Sequence, residues 1–255
     1  MGNIKVGVVP AAGPGSRLGY LSSILPKSLF PLLDRPIIHH VMNNFQKLGI
    51  ESAFVIVGFQ KQRIKDYFRN VKDSIDLEIS FVTQKKLTGI AAAIALVQNW
   101  VNDPFVCILG DDITISPLTG LPIFFREKNA IAVQAVVEEP NIDSIRNTCC
   151  VKLDRNDRIV RILEKPRNPV SKLRGCGVYV FDESIFDYIK RTPRSITRGE
   201  REITDVIDHI AQKGRAFGWR LEGRNFNINT SGDLFEAWAE VRRERGNGDE
   251  NGSQC

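Results

Sequence analysis

Along the chain, short apolar runs alternate with segments of helical period. Residues 4–9 form an apolar run of the kind a strand buried on both faces requires. Residues 29–33 are a short apolar piece, and Pro36 then starts a helix that runs to about Leu48 and stops at Gly49. A second buried strand is predicted over residues 52–57, closed by Gly58. The next helix, residues 62–70, sets Ile64, Tyr67 and Phe68 on one face, which marks them as core. A third strand over residues 77–82 leads into a polar turn from Gln84 to Gly89, an alanine-rich helix over residues 90–100, and a uniformly apolar strand at 105–109. Strand and helix in rotation predict a parallel sheet covered on both faces. Ligands bind such sheets beyond the carboxyl ends of the strands, so the loops after Val9, Val82 and Leu109 are the candidates for chemistry.

From Ile131 the rhythm changes. AVQAVVE, CCVKLD and RIVRILEKP read as strands joined by short turns, with residues 154–157 as a hairpin connection. Residues 175–181 are a further strand, whose glycines suit a close ligand approach. Helices follow at 183–190 and 203–213, strands near 215–221 and 226–228, and a last helix at about 232–243. Phe226 and Trp219, with Phe235 and Trp238, are expected to fill core rather than stack on a base. No repeat or linker interrupts the chain, so the reading is one domain, residues 1–245, with a disordered tail at 246–255 that has almost no apolar content.

Composition narrows the classes of function. The 255 residues, 42% hydrophobic and 25% charged, suit a soluble α/β protein with a substantial core. The net charge of +5 permits an anionic ligand, but the basic residues are scattered, so nucleic acid is not expected as a partner. The five cysteines include no CxxC pair and read as reduced, mostly buried thiols. No leader is visible and no apolar run approaches the roughly 18 residues that span a bilayer, which predicts a cytoplasmic protein without a membrane partner. His39 and His40 point about 100° apart on a helix, a poor metal pair, and with His209 they read as ordinary histidines.

The richest chemistry lies in residues 10–27, PAAGPGSRLGYLSSILPK. Gly13 and Gly15 let backbone N–H groups approach anionic oxygens, Arg17 offers a planar fork of donors, and Lys27 a compact positive charge. Such a loop suits a polyphosphate, although glycine-rich turns after strands are also common in purely structural roles. Asp111 and Asp112 end the strand at 105–109; two adjacent carboxylates there call either for a divalent cation or for one of them to cap a turn.

The ordered set of motifs resembles the sugar-1-phosphate nucleotidylyltransferase family, the glucose-1-phosphate thymidylyl- and uridylyltransferase-like enzymes. The opening signature GxGTRLxPxTxxxPK stands here as Gly13-Pro-Gly15-Ser16-Arg17-Leu18, with Tyr20 and Ser22 in place of proline and threonine, then Pro26-Lys27. Further matches follow in family order: Gln84 with Gly89, Leu109-Gly110-Asp111, Glu164-Lys165-Pro166, Gly177-Val-Tyr179-Val-Phe181, Gly199-Glu200-Arg-Glu202-Ile-Thr-Asp205 and Asn229-Thr230. Together they cover the chain from Val6 to about Val241.

The resemblance implies a Rossmann-like, three-layer α/β/α fold with a mostly parallel mixed central sheet and an added antiparallel sugar-binding portion. It implies joining of a nucleoside triphosphate, dTTP or UTP, to a sugar 1-phosphate, with Mg²⁺ as cofactor, and a homo-oligomer. Carried over residue by residue, Arg17 would grip the triphosphate, Lys27 would hold the attacking phosphate, and Asp111 and Asn229 would hold the metal. Ala12, Gly13 and Gly15 would cradle the nucleotide while Gln84 and Gly89 read the base. Glu164 would bond sugar hydroxyls, Lys165 the sugar phosphate, and Gly177 would let the sugar approach. Three departures stand out: Asn229 where thymidylyltransferases carry aspartate, Thr148-Cys149 where YG is usual, and Asp112 where asparagine is frequent. They raise two variants of the reading, a non-glucose acceptor such as a cyclitol phosphate or phosphocholine, and a non-catalytic regulatory relative. A Rossmann dehydrogenase is disfavoured, since the glycines fall at 13, 15 and 19 rather than in GxGxxG and no acidic residue ends the second strand.

Overall fold

The computed structural model describes residues 3–196 and 199–251. The parallel half comprises β1 (Val6–Ala11), α1 (Tyr20–Ile24), β2 (Pro31–Leu32), β3 (Arg35–Pro36), α2 (Ile37–Lys47), β4 (Ser52–Val57), α3 (Lys61–Asn70), β5 (Glu78–Thr83), α4 (Ile90–Ile94) and β6 (Phe105–Ile108). The second half adds β7 (Asp112–Thr114), α5 (Gly120–Glu127), β8 (Ala132–Glu138), α6 (Ile142–Asn147), β9 (Cys149–Leu153), β10 (Ile159–Glu164) and β11 (Leu173–Phe181). It closes with α7 (Ile185–Arg191), α8 (Ile203–Ala211), β12 (Ala216–Arg220), β13 (Asn225–Asn227) and α9 (Ser231–Asn251).

Nine strands form the central sheet, in the order β10-β9-β11-β6-β1-β4-β5, with β8 paired to β11 and β12 to β8. β1 runs parallel to both β4 and β6, and β4 parallel to β5. β11 reverses direction and pairs antiparallel with β6, β8 and β9. Its first residues lie between β8 and β9, and its last between β8 and β6, with an irregularity between Gly175 and Tyr179 where neighbours change. β9 and β10 form the expected hairpin, whose turn is tied by Asp154 accepting from the N–H groups of Asn156 and Arg158.

Alternate residues of one strand feed two cores, the signature of a sheet covered on both faces. Val9, Val55, Val57, Val106 and Ile108 pack on one side with Phe45, Ile64 and Phe68, and Val8, Ile56, Phe105 and Cys107 on the other with Ile94, Val206 and Ile210. A third cluster, including Leu32, Ile37, Ile113, Phe226, Ala237 and Val241, seats α9 over the end of the sheet where β7 pairs with β13.

Four expectations need correction. The alanine-rich helix is only α4 followed by a 3₁₀ turn at Ala95–Val97. α1, α5 and α6 form where no helix was expected. The last helix continues past Arg243 to Asn251, into the segment expected to be disordered, and residues 252–255 lie outside the described residues. Phe226 fills core, but Phe235 and Trp238 are exposed, because α9 turns Leu234, Ala237 and Val241 inward instead. Cys107, Cys149, Cys150 and Cys176 are free and buried as expected, and Cys255 lies outside the described residues. His39 is a buried histidine satisfied by Tyr67, whose hydroxyl lies 2.7 Å from Nδ1, and by Arg35 on its other nitrogen.

Candidate active site

A cavity of about 730 Å³ opens at the carboxyl ends of β1 and β6. Every residue singled out from the sequence lines it: Ala12, Gly13, Gly15, Arg17 and Lys27 from the first loop, Gln84 and Gly89 from the loop after β5, and Asp111 after β6. The second half contributes Glu164 and Lys165 at the end of β10, Gly177 within β11, and Asn229 after β13. The first-half residues meet because parallel strands present their carboxyl ends on one side, and the antiparallel strands β10, β11 and β13 bring the second-half residues up beside them.

Lys27 stands at the centre of the charged end. Its ammonium donates to Asp111 Oδ2 at 2.5 Å and to Asn229 Oδ1 at 3.3 Å, and its side chain is almost wholly buried. Gly15 makes room for it: a Cβ there would stand 2.9 Å from Lys27 Cβ, and the φ of +67° already favours glycine. Gly13 has open space around it, so its backbone is accessible from the cavity, and Arg17 is exposed beside it. Asp111 and Asn229 thus aim two oxygens at one cationic group. That donor set fits a hard divalent ion that takes its remaining ligands from phosphate and water. No cluster of three or more His, Cys, Asp or Glu side chains suited to a metal occurs among the described residues.

Asp112 has its charge offset by hydrogen-bond donors rather than by a cation. It turns the other way, is 1% exposed, and is satisfied by protein donors: Gly177 N–H at 2.7 Å, Asn225 Nδ2 at 2.6 Å and the Thr114 hydroxyl at 2.9 Å. Burial pushes its carboxyl up to about 6 even though the Gly177 and Thr114 bonds pull it down. Gly177 is needed because a Cβ would come within 2.9 Å of both Asp112 and Leu109.

In the loop after β5, Gln84 is buried and its amide donates to Gly89 O at 3.3 Å. Gly89 has a φ of +104° and lies against the Arg201 backbone, 2.3 Å from where a Cβ would stand, which ties this loop to the Glu200–Glu202 segment lining the same cavity. At the end of β10, Lys165 adopts a left-handed φ of 43° and its N–H bonds Thr148 O at 2.6 Å, so the Glu164-Lys165 pair sits directly on the Thr148-Cys149 strand start. Lys165 and Glu164 lie 3.6 Å apart. Cys149 is buried beneath Gly175, its thiol pushed up to about 12 by burial.

Sequence reasoning missed two hydroxyls on the cavity wall, Ser28 and Thr204, each buried with an oxygen that has no partner. Nothing in the local pattern distinguishes them from ordinary small residues. It also missed Arg174 and Asn225, whose buried polar character is a product of tertiary packing alone.

The fold and this constellation define a nucleotidyl transferase. The chain belongs to that family, whose profile matches residues 6–241, on the sugar-1-phosphate nucleotidylyltransferase side of it. It is 33% identical, over 90% of its length, to the bifunctional protein GlmU of Methanocaldococcus jannaschii, of which it spans 52%. It is 29% identical to the UTP–glucose-1-phosphate uridylyltransferase of Staphylococcus epidermidis, across 89% of this chain and 88% of that protein. The chain thus spans about half the length of its GlmU relatives and most of the uridylyltransferase. In fold it is similar to a UDP-glucose pyrophosphorylase solved with UDP-glucose, at a TM-score of 0.85 and 23% identity over 94% of this chain and 99% of that one. No helix among the described residues is long and apolar enough to cross a membrane.

Proposed function

We propose that the protein transfers a nucleotidyl group from dTTP or UTP to a sugar 1-phosphate, giving a nucleoside diphosphate sugar and pyrophosphate, with Mg²⁺ as cofactor and in the cytoplasm. A phosphate oxygen of the sugar 1-phosphate attacks the α-phosphorus. The bond from that phosphorus to the bridging oxygen breaks, and pyrophosphate leaves with the electron pair. The reaction asks for alignment of two anions and neutralisation of a third, not for a nucleophilic side chain. The single observation that carries the reading is the convergence of Lys27, Asp111 and Asn229 in a cavity that also holds Arg17, Gln84, Glu164 and Lys165.

In this reading Ala12, Gly13 and Gly15 present backbone to the nucleotide, Gln84 and Gly89 meet the base, and Arg17 steadies the leaving phosphates. Lys27 holds the attacking phosphate near the α-phosphorus; Lys165 binds that phosphate from the other side and Glu164 accepts from the sugar hydroxyls. Asp111 and Asn229 would hold Mg²⁺, which when bound supplies charge neutralisation at the phosphate oxygens. The test is pyrophosphate release from a panel of nucleoside triphosphates and sugar 1-phosphates with Mg²⁺; no release across the panel overturns the proposal and favours a non-catalytic relative.

A second reading keeps the chemistry and changes the acceptor. Cys149 lies directly under Gly175 on the acceptor wall, which alters the pocket relative to the usual YG pair and favours an acceptor other than glucose 1-phosphate. A thermal-shift screen of phosphorylated acceptors with nucleotide present distinguishes the two, because the true acceptor raises the melting temperature by mass action.

A further inference from the structure

Behind the cavity lies a polar chain that the reaction as proposed does not use. Arg174, 5% exposed, donates through Nε to Glu139 at 3.2 Å and through its two terminal nitrogens to the side-chain and main-chain oxygens of Asn225 at 3.0 and 2.8 Å. The Asn225 amide passes the chain on, donating to Asp112 Oδ1 at 2.6 Å and Thr114 Oγ1 at 2.8 Å. Asp112 Oδ2 accepts from Gly177 N–H. Both oxygens of the Asp112 carboxylate thus face donors, with Thr114 and Asn225 on Oδ1 and Gly177 N–H on Oδ2, so an amide at 112 would aim its NH₂ at one of them.

The neighbours of this chain are functional. Asp112 follows Asp111 directly, and Asn225 lies four residues before Asn229 on the same short strand and loop. The two strands are held in register with Asn227 opposite Asp112, and Ile228 N–H bonds Asp111 O at 3.2 Å. These bonds fix how far apart Asp111 and Asn229 stand.

We infer that Asp112, Asn225 and Arg174 are positioning residues: a buried clasp, tied to the β11 backbone at Gly177, that sets the spacing of the two ion ligands, Asp111 and Asn229. The clasp rests on the reading of Asp111 and Asn229 as ligands. Outer partners of metal ligands are ordinarily worth about 10–100-fold in ion affinity.

The test is Mn²⁺ affinity by electron paramagnetic resonance, with and without UTP, alongside thermal melting. D112N is expected to bind Mn²⁺ at least about tenfold more weakly. The exchange D112N/N225D reverses the central bond: the new amide donates to the new carboxylate, which still accepts from Arg174, while its oxygen still accepts from Gly177. That double variant is expected to return Mn²⁺ affinity to within about threefold of wild type, which a merely structural loss would not do. Should D112N fail to fold, the exchange alone decides, and should that fail too, T114V, which removes one hydroxyl that donates to Asp112 and accepts from Asn225, is expected to lower affinity about threefold. A folded D112N with wild-type affinity, a folded exchange that stays weak, or an unaffected T114V overturns the clasp. Wild-type protein that binds no Mn²⁺ even with UTP overturns the ligand reading, and the clasp with it.

Discussion

On the β1 side of the cavity the sheet is parallel, and the functional groups sit on loops that leave the strands and reach into open space. On the β11 side it is antiparallel, and the functional groups sit on or beside the strands themselves, backed by buried polar side chains. Lys27 and Arg17 on the first side are charges delivered by a glycine loop. Gly177, Cys149 and Lys165 on the second are held by hydrogen bonds to neighbouring strands. The difference teaches where adaptation is cheap. A loop side chain is exchanged at the cost of its own contacts, whereas a change on the β11 wall must be accommodated by Gln134, Asp112 and Arg174 behind it.

Substitutions should separate the two sides, with the largest effect at their junction. Lys27→Ala and Asp111→Asn are each expected to lower turnover by about 10³-fold or more, since both remove charge aligned with the reacting phosphates. Steady-state assay of pyrophosphate release checks this, and near wild-type turnover in either variant removes that residue from the chemistry. Lys165→Ala should act on the acceptor side only, with about 10²-fold loss in kcat/KM for the sugar phosphate and nucleotide KM within about twofold. Equal loss for both substrates would dissolve the division into two walls.

Gly175→Ala should show the rigidity of the β11 wall in stability. Its Cβ would stand 2.3 Å from Gln134 Nε2 and 2.4 Å from Cys149 Sγ, and a cost of about 3 kcal/mol in urea unfolding is expected. Gly13→Ala, with nothing within 4 Å, should cost less than about 1 kcal/mol. An effect of similarly small size belongs to pH. His39, in the parallel half, has its pKa lowered to about 4 by burial, with Arg35 and His40 adding to the shift. The unfolded chain therefore takes up this proton first as pH falls, so stability drops through the window from about 6.5 towards 4. Wild type should lose about 1 kcal/mol between pH 7 and 5.5 from this residue, and His39→Gln should flatten that slope.

The two sides also differed in how far they could be read from sequence. The expected strands match β4 to the residue and β5 and β6 to within one, because the central strands β4 and β6 are written as apolar runs and the edge strand β5 as an alternation of polar and apolar residues. The loop residues of the first side were legible for a related reason, since small residues and charges between such runs have few structural uses. β13, expected near residues 226–228, lies at Asn225–Asn227, but β7, only three residues long, carries no periodic signal, and it is the strand that holds Asp112. The polar residues Gln134, Arg174 and Asn225 sit inside the protein because of partners 40 or more residues away, which no window of sequence contains. Asp112 illustrates the limit: local pattern offered a cation or a turn cap, and tertiary structure supplied donors from β11 and β13 instead.

One feature of the sheet bears on how the protein behaves in crowded solution. β10 ends the nine-stranded array with β9 as its one strand neighbour, and α8 braces it: Ile162 N–H bonds Asp208 Oδ1 at 3.3 Å. Its pairing slips between Ile159 and Arg161, and Arg158, Arg161, Glu164 and Lys165 crowd its length. A twisted, mostly cationic rim braced by a helix is a poor surface for strand addition, which lets the sheet end beside the cavity without inviting fibrillar self-association.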